Sequence, residues 1–294
     1  MTYETNTFNS YLQSPKKQMW KKFKNHPLGL CGFILLLSLV IITFLGPYLS
    51  QYQYDQIHLT LKNEPPSLRF WFGSDDLGRD VFTRVCYGGR ISLFIGITAA
   101  LIDLCIGILW GGIAGLVGGH TDECLMRIAD ILYALPYMLV VVLFIVVLGS
   151  GLTSMILALT VIGWITMARI FRGRVLALKE SDYILAARSL GAGFFRILFK
   201  HILPNSYGQI LVTLTLTIPS AIFSEAFLSF LGLGIQAPLA SWGTMANESL
   251  AALQYYPWRL LFPSLFISIT ILSFYMIGEG LKQAFDNSEQ LKIA

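Results

Sequence analysis

The sequence predicts an all-α integral membrane protein with six transmembrane helices. Three observations support this. Only 13% of the 294 residues are charged, while 55% are hydrophobic, and the mean hydropathy is +0.63. A soluble domain carries about 25% charged residues, so a soluble fold of this composition would expose a largely apolar surface. Second, the apolar residues gather into runs of about 20, the length a helix needs to cross a bilayer. Third, the Lys and Arg residues are shared unevenly between the segments that separate these runs. The same composition excludes a disordered chain. The net charge of +4 is too small to point to nucleic acid.

Residues 1–27 are polar and basic, with Lys16, Lys17, Lys21, Lys22 and Lys24 interleaved with Met19, Trp20 and Phe23. They read equally well as a short helix at headgroup level or as an unstructured basic flank. The first span is 28–49, too long for a signal-peptide core. A polar loop over 50–90 follows, with Pro65-Pro66 and neighbouring acids and bases. The second span is 91–117, the third 125–148 with Pro136 inside it, and the fourth 152–170. A basic segment, 171–205, leads to the fifth span, 209–231, which contains Pro219. A mixed loop over 233–256 precedes the sixth span, 258–277 or slightly beyond. Residues 91–283 thus form a five-helix core, and 284–294 a polar tail.

Orientation follows from the positive-inside rule. With the N-terminus inside, fifteen Lys and Arg fall on the inner side and six on the outer. Both termini are therefore expected in the cytoplasm. The outer loop weakens the bias, but its five acids (Asp55, Glu64, Asp75, Asp76 and Asp80) accompany its bases.

Signals for catalysis are nearly absent. No phosphate-binding loop, zinc-protease helix or hydrolase nucleophile elbow occurs. The four histidines are scattered, and no two cysteines have metal or redox spacing. Neither a metal nor a cofactor is expected on this chain, so any ATP must be hydrolysed by another subunit. Gly107, Gly111, Gly115 and Gly119 recur every fourth residue, which puts them near one helix face where backbones approach closely. That face can pack within the chain or against a second membrane subunit. Asp103 and Glu225 lie inside spans, where ionisable groups are costly. They either tie helices together or line a translocation path. Asp75, Asp76, Arg79 and Asp80 are candidates for outer-loop structure or for contact with an extracytoplasmic protein.

The most informative stretch is 180–205. Asp182 can cap a helix over 183–190, and Gly191 can stop it. A second apolar-basic helix starts near Gly193, and Pro204 punctuates it before the fifth span. The product is a short helix on a hairpin below the membrane, a knob suited to a partner's groove.

This segment resembles the EAA loop of ATP-binding cassette (ABC) importer permeases. Ala186, Ala187, Gly191, Leu203 and Pro204 match the pattern, while Leu185 and His201 replace its glutamate and isoleucine. Three further stretches look like the dipeptide/oligopeptide/nickel branch and its "C"-type subunit. They are 72–80 continuing to 88–93; 225–234 with Ser241-Trp242-Gly243; and Pro257-Trp258, Pro263 and 278–282. The matches run from about 28 to 286. The resemblance implies a type I ABC importer permease-like bundle in a bacterial inner membrane. Its implied partners are a second related permease, two ATPase subunits carrying ATP and Mg, and an extracytoplasmic solute-binding protein, besides membrane lipid and a peptide substrate. It also makes 182–191 the coupling helix, with Asp182, Tyr183, Ala186, Ala187, Arg188, Gly191, Leu203 and Pro204 in the ATPase-coupling loop. The same architecture could import nickel or another small solute. An ion-driven transporter built on Asp103 and Glu225 is the remote alternative.

Overall fold

The computed structural model describes residues 22–293, with side-chain surroundings through residue 285. The expectations for the basic leader before residue 22, and for the end of the tail, lie outside the described residues. Helix α1 spans Pro27–Leu49. Pro27 occupies its first turn, where no N–H is needed, and His26 Nδ1 accepts the Gly29 N–H at 3.0 Å. The polar loop that follows holds only a single short turn of helix, Leu59–Leu61.

Helix α2, Val81–Val117, begins before the apolar run does. Asp80 is the cause. Its carboxylate accepts the Thr83 N–H at 3.0 Å, a side-chain cap for an otherwise unpaired donor. The polar residues 81–90 are therefore helical, and their charges have partners. Arg90, for instance, donates to the carbonyls of Thr43 and Phe44.

The expected third span is broken. It divides into α3, Gly119–Tyr133, and α4, Tyr137–Leu148, which are bent by 82°. Pro136 lacks an N–H and stands in extended conformation (ψ 113°) at the break. In addition, α3 carries Asp122, Glu123, Arg127 and Asp130, so it is amphipathic rather than apolar.

Helix α5, Leu152–Leu178, continues well past the apolar run. Helix α6 is Asp182–Ser189. Helix α7 covers 194–205 and opens into a wide π-type turn over Ile197–Ile202, where the Leu203 N–H reaches back to Leu198 O. Pro204 follows at once. It cannot donate, and its ring crowds the preceding turn, a reason for the widening. Helix α8 is Tyr207–Leu228, helix α9 is Trp242–Ser249 and helix α10 is Trp258–Ile293. Ser241 and Thr244 form a reciprocal capping box at the start of α9.

Five of these helices are long and apolar enough to cross a membrane, and the bent α3–α4 pair brings the number to six if it counts as one broken span. Helix α2 lies along α5, α8 packs on α2 and α10, and α10 also supports α1, which stays at the periphery. The 50–80 loop and α9 gather at one end of the bundle, around Val81, Val85, Trp242, Met245 and Phe266. Helices α6 and α7 close the opposite end around Phe171, Val175, Ile184, Leu198 and Ile202.

Candidate functional site

The knob at the α6 end is built around one anchor. Ile184 is fully buried among Ile108, Phe171, Val175, Leu198 and Ile202. The neighbouring Tyr183, Leu185, Leu190, Phe195 and Phe199 are exposed, Leu190 at 88%. Clusters of exposed apolar side chains of this kind are a common feature of protein interaction surfaces. The helix stop is at Gly191, with φ +81°. The Gly191 N–H bonds Arg188 O at 2.9 Å and the Ala192 N–H bonds Ala187 O at 3.0 Å, which together form a Schellman closure.

The start of the knob helix differs from expectation. Ser181, not Asp182, holds the N-cap position, and its hydroxyl donates to Leu178 O at 2.6 Å instead of capping. Asp182 lies in the first turn, where its charge favours the positive end of the helix dipole. Leu203 is half-buried beside the anchor cluster, and Pro204 is exposed. Ala186 and Arg188 are exposed, and Ala187 is half-buried.

Three of the four ladder glycines pack inside the chain. A Cβ on Gly107 would lie 2.6 Å from Met167 Cβ, one on Gly111 3.0 Å from the Arg172 backbone N, and one on Gly115 2.7 Å from Val175 Cγ1. All three neighbours belong to α5, so the ladder is the seam of the α2–α5 pair. Gly119 is not part of it. It opens α3 with φ +55°, and a Cβ there would meet nothing within 4 Å, because the chain turns away from α5 at Gly118.

The two intramembrane acids have different surroundings. Glu225, completely buried, accepts from Ser92 Oγ at 2.9 Å and Ser229 Oγ at 2.8 Å. Ser92 Oγ in turn accepts the Trp242 N–H at 3.2 Å. Glu225 thereby joins α2, α8 and the start of α9. Asp103 is 4% exposed and sits against Gly163 of α5, and its Oδ1 has no hydrogen-bond partner among the described residues. Neither acid is open to a path on the surface of this chain.

At the other end, Asp75, Asp76 and Arg79 of the 50–90 loop fall into an ion-pair network that also recruits Arg84, Glu248 and Arg259, while Asp80 stays outside it as the cap of α2. Asp75 Oδ2 lies 2.6 Å from Arg79 Nε and 2.5 Å from Arg84 Nη1. Arg84, 4% exposed, also reaches Glu248 of α9 at 2.9 Å. Arg259 of α10 pairs with Asp76 at 3.1 Å and donates to Asn63 Oδ1 at 3.0 Å. Burial works to raise the Asp75 carboxyl, but the Arg84 and Arg79 guanidiniums and two backbone N–H groups outweigh it and hold the carboxyl below the usual range. Asp80 differs: burial dominates its hydrogen bonds to Thr83 and Ser50 and pushes the carboxyl up. Arg84 and Glu248, and Arg259 and Asp76, pair across more than 160 residues of sequence, which no local pattern announces.

No group of three or more His, Cys, Asp or Glu capable of holding a metal occurs among the described residues.

A membrane bundle that seals one end with ion pairs and presents an apolar knob at the other has the build of a membrane-embedded transport subunit. The chain belongs to the family described as binding-protein-dependent transport system inner membrane component, which matches residues 107–289; residues 14–66 match the N-terminal transmembrane domain of oligopeptide transport permease C. It is 54% identical over 272 residues to the oligopeptide transport system permease protein OppC of Bacillus subtilis (strain 168), covering 91% of this chain and 89% of that one. It is 53% identical over 268 residues to the dipeptide transport system permease protein DppC of the same organism, covering 91% and 84%. In fold it is similar to a chain of the MetNI methionine ABC transporter in inward facing conformations, with a TM-score of 0.56, 18% identity, and coverage of 67% of this chain and 94% of that one. The chain is thus a multi-pass permease subunit of an ABC importer of the inner membrane. A subunit of this kind works with a second permease, ATPase subunits and a substrate-binding protein.

Proposed function

We propose that this chain forms half of the translocation pathway of an importer for dipeptides and oligopeptides. The observation that carries this reading is its identity of more than half to two peptide permeases over nine-tenths of its length. In this reading both termini are cytoplasmic, which agrees with fifteen of 21 basic residues falling on that side. The ion-paired end then faces outward, toward the solute-binding protein, and Asp75, Asp76, Arg79 and Asp80 hold its shape. One related permease and two ATPase subunits complete the assembly. ATP and Mg are used on the ATPase subunits, and this chain itself is not an enzyme.

Helix α6 is the coupling helix. Closure of the ATPase pair on ATP moves the knob, and Ile184 passes the motion to α5 and α7 as a rigid body. The exposed apolar cluster and the Schellman closure support this role. Leu185, in place of a carboxylate, makes the contact apolar. Glu225 ties α2 to α8 through the Ser92 hydroxyl, and Asp103 packs against Gly163 of α5. Uptake of a radiolabelled tripeptide by cells expressing the whole transporter tests the reading. Ala187→Arg and Gly191→Pro should each abolish uptake and weaken ATPase co-purification, while the permease pair still assembles. Normal uptake in both would refute the coupling role. Uptake of nickel but of no peptide would replace the substrate.

A further inference from the structure

The loop between α1 and α2 folds back on itself. The Asn63 N–H bonds Asp75 O and the Ser74 N–H bonds Glu64 O, both at 2.9 Å, and further out the Ser67 N–H bonds Phe70 O at 2.7 Å. The base of this hairpin is Asp75, held by Arg79 and Arg84. Its tip is a tight turn, closed a second time by the Phe70 N–H on Ser67 Oγ at 3.1 Å. Phe70 roots the turn, fully buried and stacked on Tyr52 with ring centroids 4.8 Å apart. The residues around it are open: Leu68 is 100% exposed, Arg69 is exposed and Trp71 is half-exposed. A single exposed leucine is ordinary, but this one has company. Leu49, the last residue of α1, lines the same depression as Leu68 and Trp71, and both Leu49 and the preceding Tyr48 are exposed.

The end of α1 fixes the depth of this patch. A helix of 23 residues is about 34 Å long, slightly more than the roughly 30 Å hydrocarbon layer, so its ends reach the headgroups. Ile41, Phe44, Leu45 and Tyr48 form one exposed face that leads up to the hairpin tip. Beside these last turns Arg90 donates to the Thr43 and Phe44 carbonyls and lies over the Tyr87 ring, 4.5 Å from its centroid. A guanidinium and tyrosines at this level mark the edge of the hydrocarbon. The tip suits the layer just beyond. Residues 65–72 carry no acid and a single charge, Arg69, whose Nε is steadied by the Tyr52 hydroxyl at 2.8 Å. We propose that the 67–71 turn is a membrane anchor, with Leu68 and Trp71 set at the headgroup–acyl boundary of the leaflet where α1 ends and Arg69 among the lipid phosphates. Through its base at Asp75, the hairpin then ties the ion-paired end of the bundle to the lipid surface. The proposal requires only a bilayer and is independent of the peptide reading.

The test uses the complete transporter with its solute-binding protein in phospholipid vesicles, and two probes of position 68. In the first, a photoreactive benzoylphenylalanine replaces Leu68, Ile34 in the middle of α1, or Lys62 on the exposed part of the same loop, and the products are identified by mass spectrometry. Burial of a leucine side chain favours an apolar surrounding about tenfold or more, so position 68 should give mainly lipid adducts, as position 34 does and position 62 does not. In the second, Leu68→Cys, Ile34→Cys and Lys62→Cys carry a nitroxide in a chain whose four native cysteines are replaced. Molecular oxygen should relax the label at 68 more effectively than a water-soluble nickel chelate does, with the balance reversed at 62. Adducts at 68 mainly to the solute-binding protein, to the sister permease or to this chain would overturn the anchor, as would no adduct at all. So would a nitroxide profile at 68 that matches the one at 62. If the cysteine-replaced chain fails to assemble, the photoreactive probe, which keeps every native cysteine, decides alone.

Discussion

Arg84→Met tests the ion-pair network most directly. Met has a similar length and no charge, so the variant isolates the electrostatic loss. At an effective dielectric of about 20, unit charges 2.5 Å apart, as in Arg84 and Asp75, attract by roughly 7 kcal/mol before desolvation. Removal of one partner from a buried pair costs about 3–5 kcal/mol. Asp75 keeps Arg79 at 2.6 Å and accepts the Leu77 and Arg79 N–H groups at 2.9 Å, so the lower end, about 3 kcal/mol, applies. For a chain of this size that corresponds to a fall in Tm of about 6–12 °C. The measurement is thermal unfolding of the purified permease in one detergent at one heating rate. The pH dependence has a defined sign. A folded pKa held below the usual carboxylate value gives stability that is present above about pH 4 and lost as pH falls through the folded value. The gap between wild type and variant should stay level from about pH 5 to pH 8 and shrink only in stronger acid. A fall of less than about 2 °C would refute the argument. So would strict additivity of Arg84→Met with Asp75→Asn, because contacting partners must couple.

Other outcomes follow from the packing. Ile184→Ala removes the anchor of α6 and should cost about 2–5 kcal/mol, whereas Leu185→Ala, on the exposed side of the same turn, should stay within about 0.5 kcal/mol; unfolding curves of the two variants compare them. Gly111→Val forces a branched side chain against the α5 backbone and should lower stability by at least about 1–3 kcal/mol, read from the same curves. Glu225→Ala strands Ser92 and Ser229 and should cost about 1–3 kcal/mol, with earlier proteolysis near α9, while Glu225→Gln should retain most of the stability.

The spans were legible because their signal is local: twenty apolar residues specify a helix in lipid whatever surrounds them. The knob was legible for the same reason, since Gly191 and its neighbours act within one turn. What the sequence could not show was long-range. Asp75 reads as one acid among five in a polar loop, and only the fold brings Arg84 and Glu248 to it. Glu225 reads as a possible relay until serines from α2, the end of α8 and the α9 cap converge near it. The start of α2 lies ahead of the apolar run because a capping side chain, Asp80, marks it and hydropathy does not. Pro136 was visible, but its effect depended on the polar composition of α3 ahead of it.

The bend at Pro136 has a consequence for how the subunit can live in a bilayer. Helix α4 has 12 residues and is about 18 Å long, short of the roughly 30 Å hydrocarbon layer. The end of α3 and the start of α4 each leave backbone groups without intrahelical partners. Tyr133, Ala134, Leu135 and Pro136 are all exposed on this chain. Acyl chains cannot satisfy such groups. The break must therefore meet water at the membrane boundary or lie against another protein surface, and bare acyl chains are the one surrounding it cannot have.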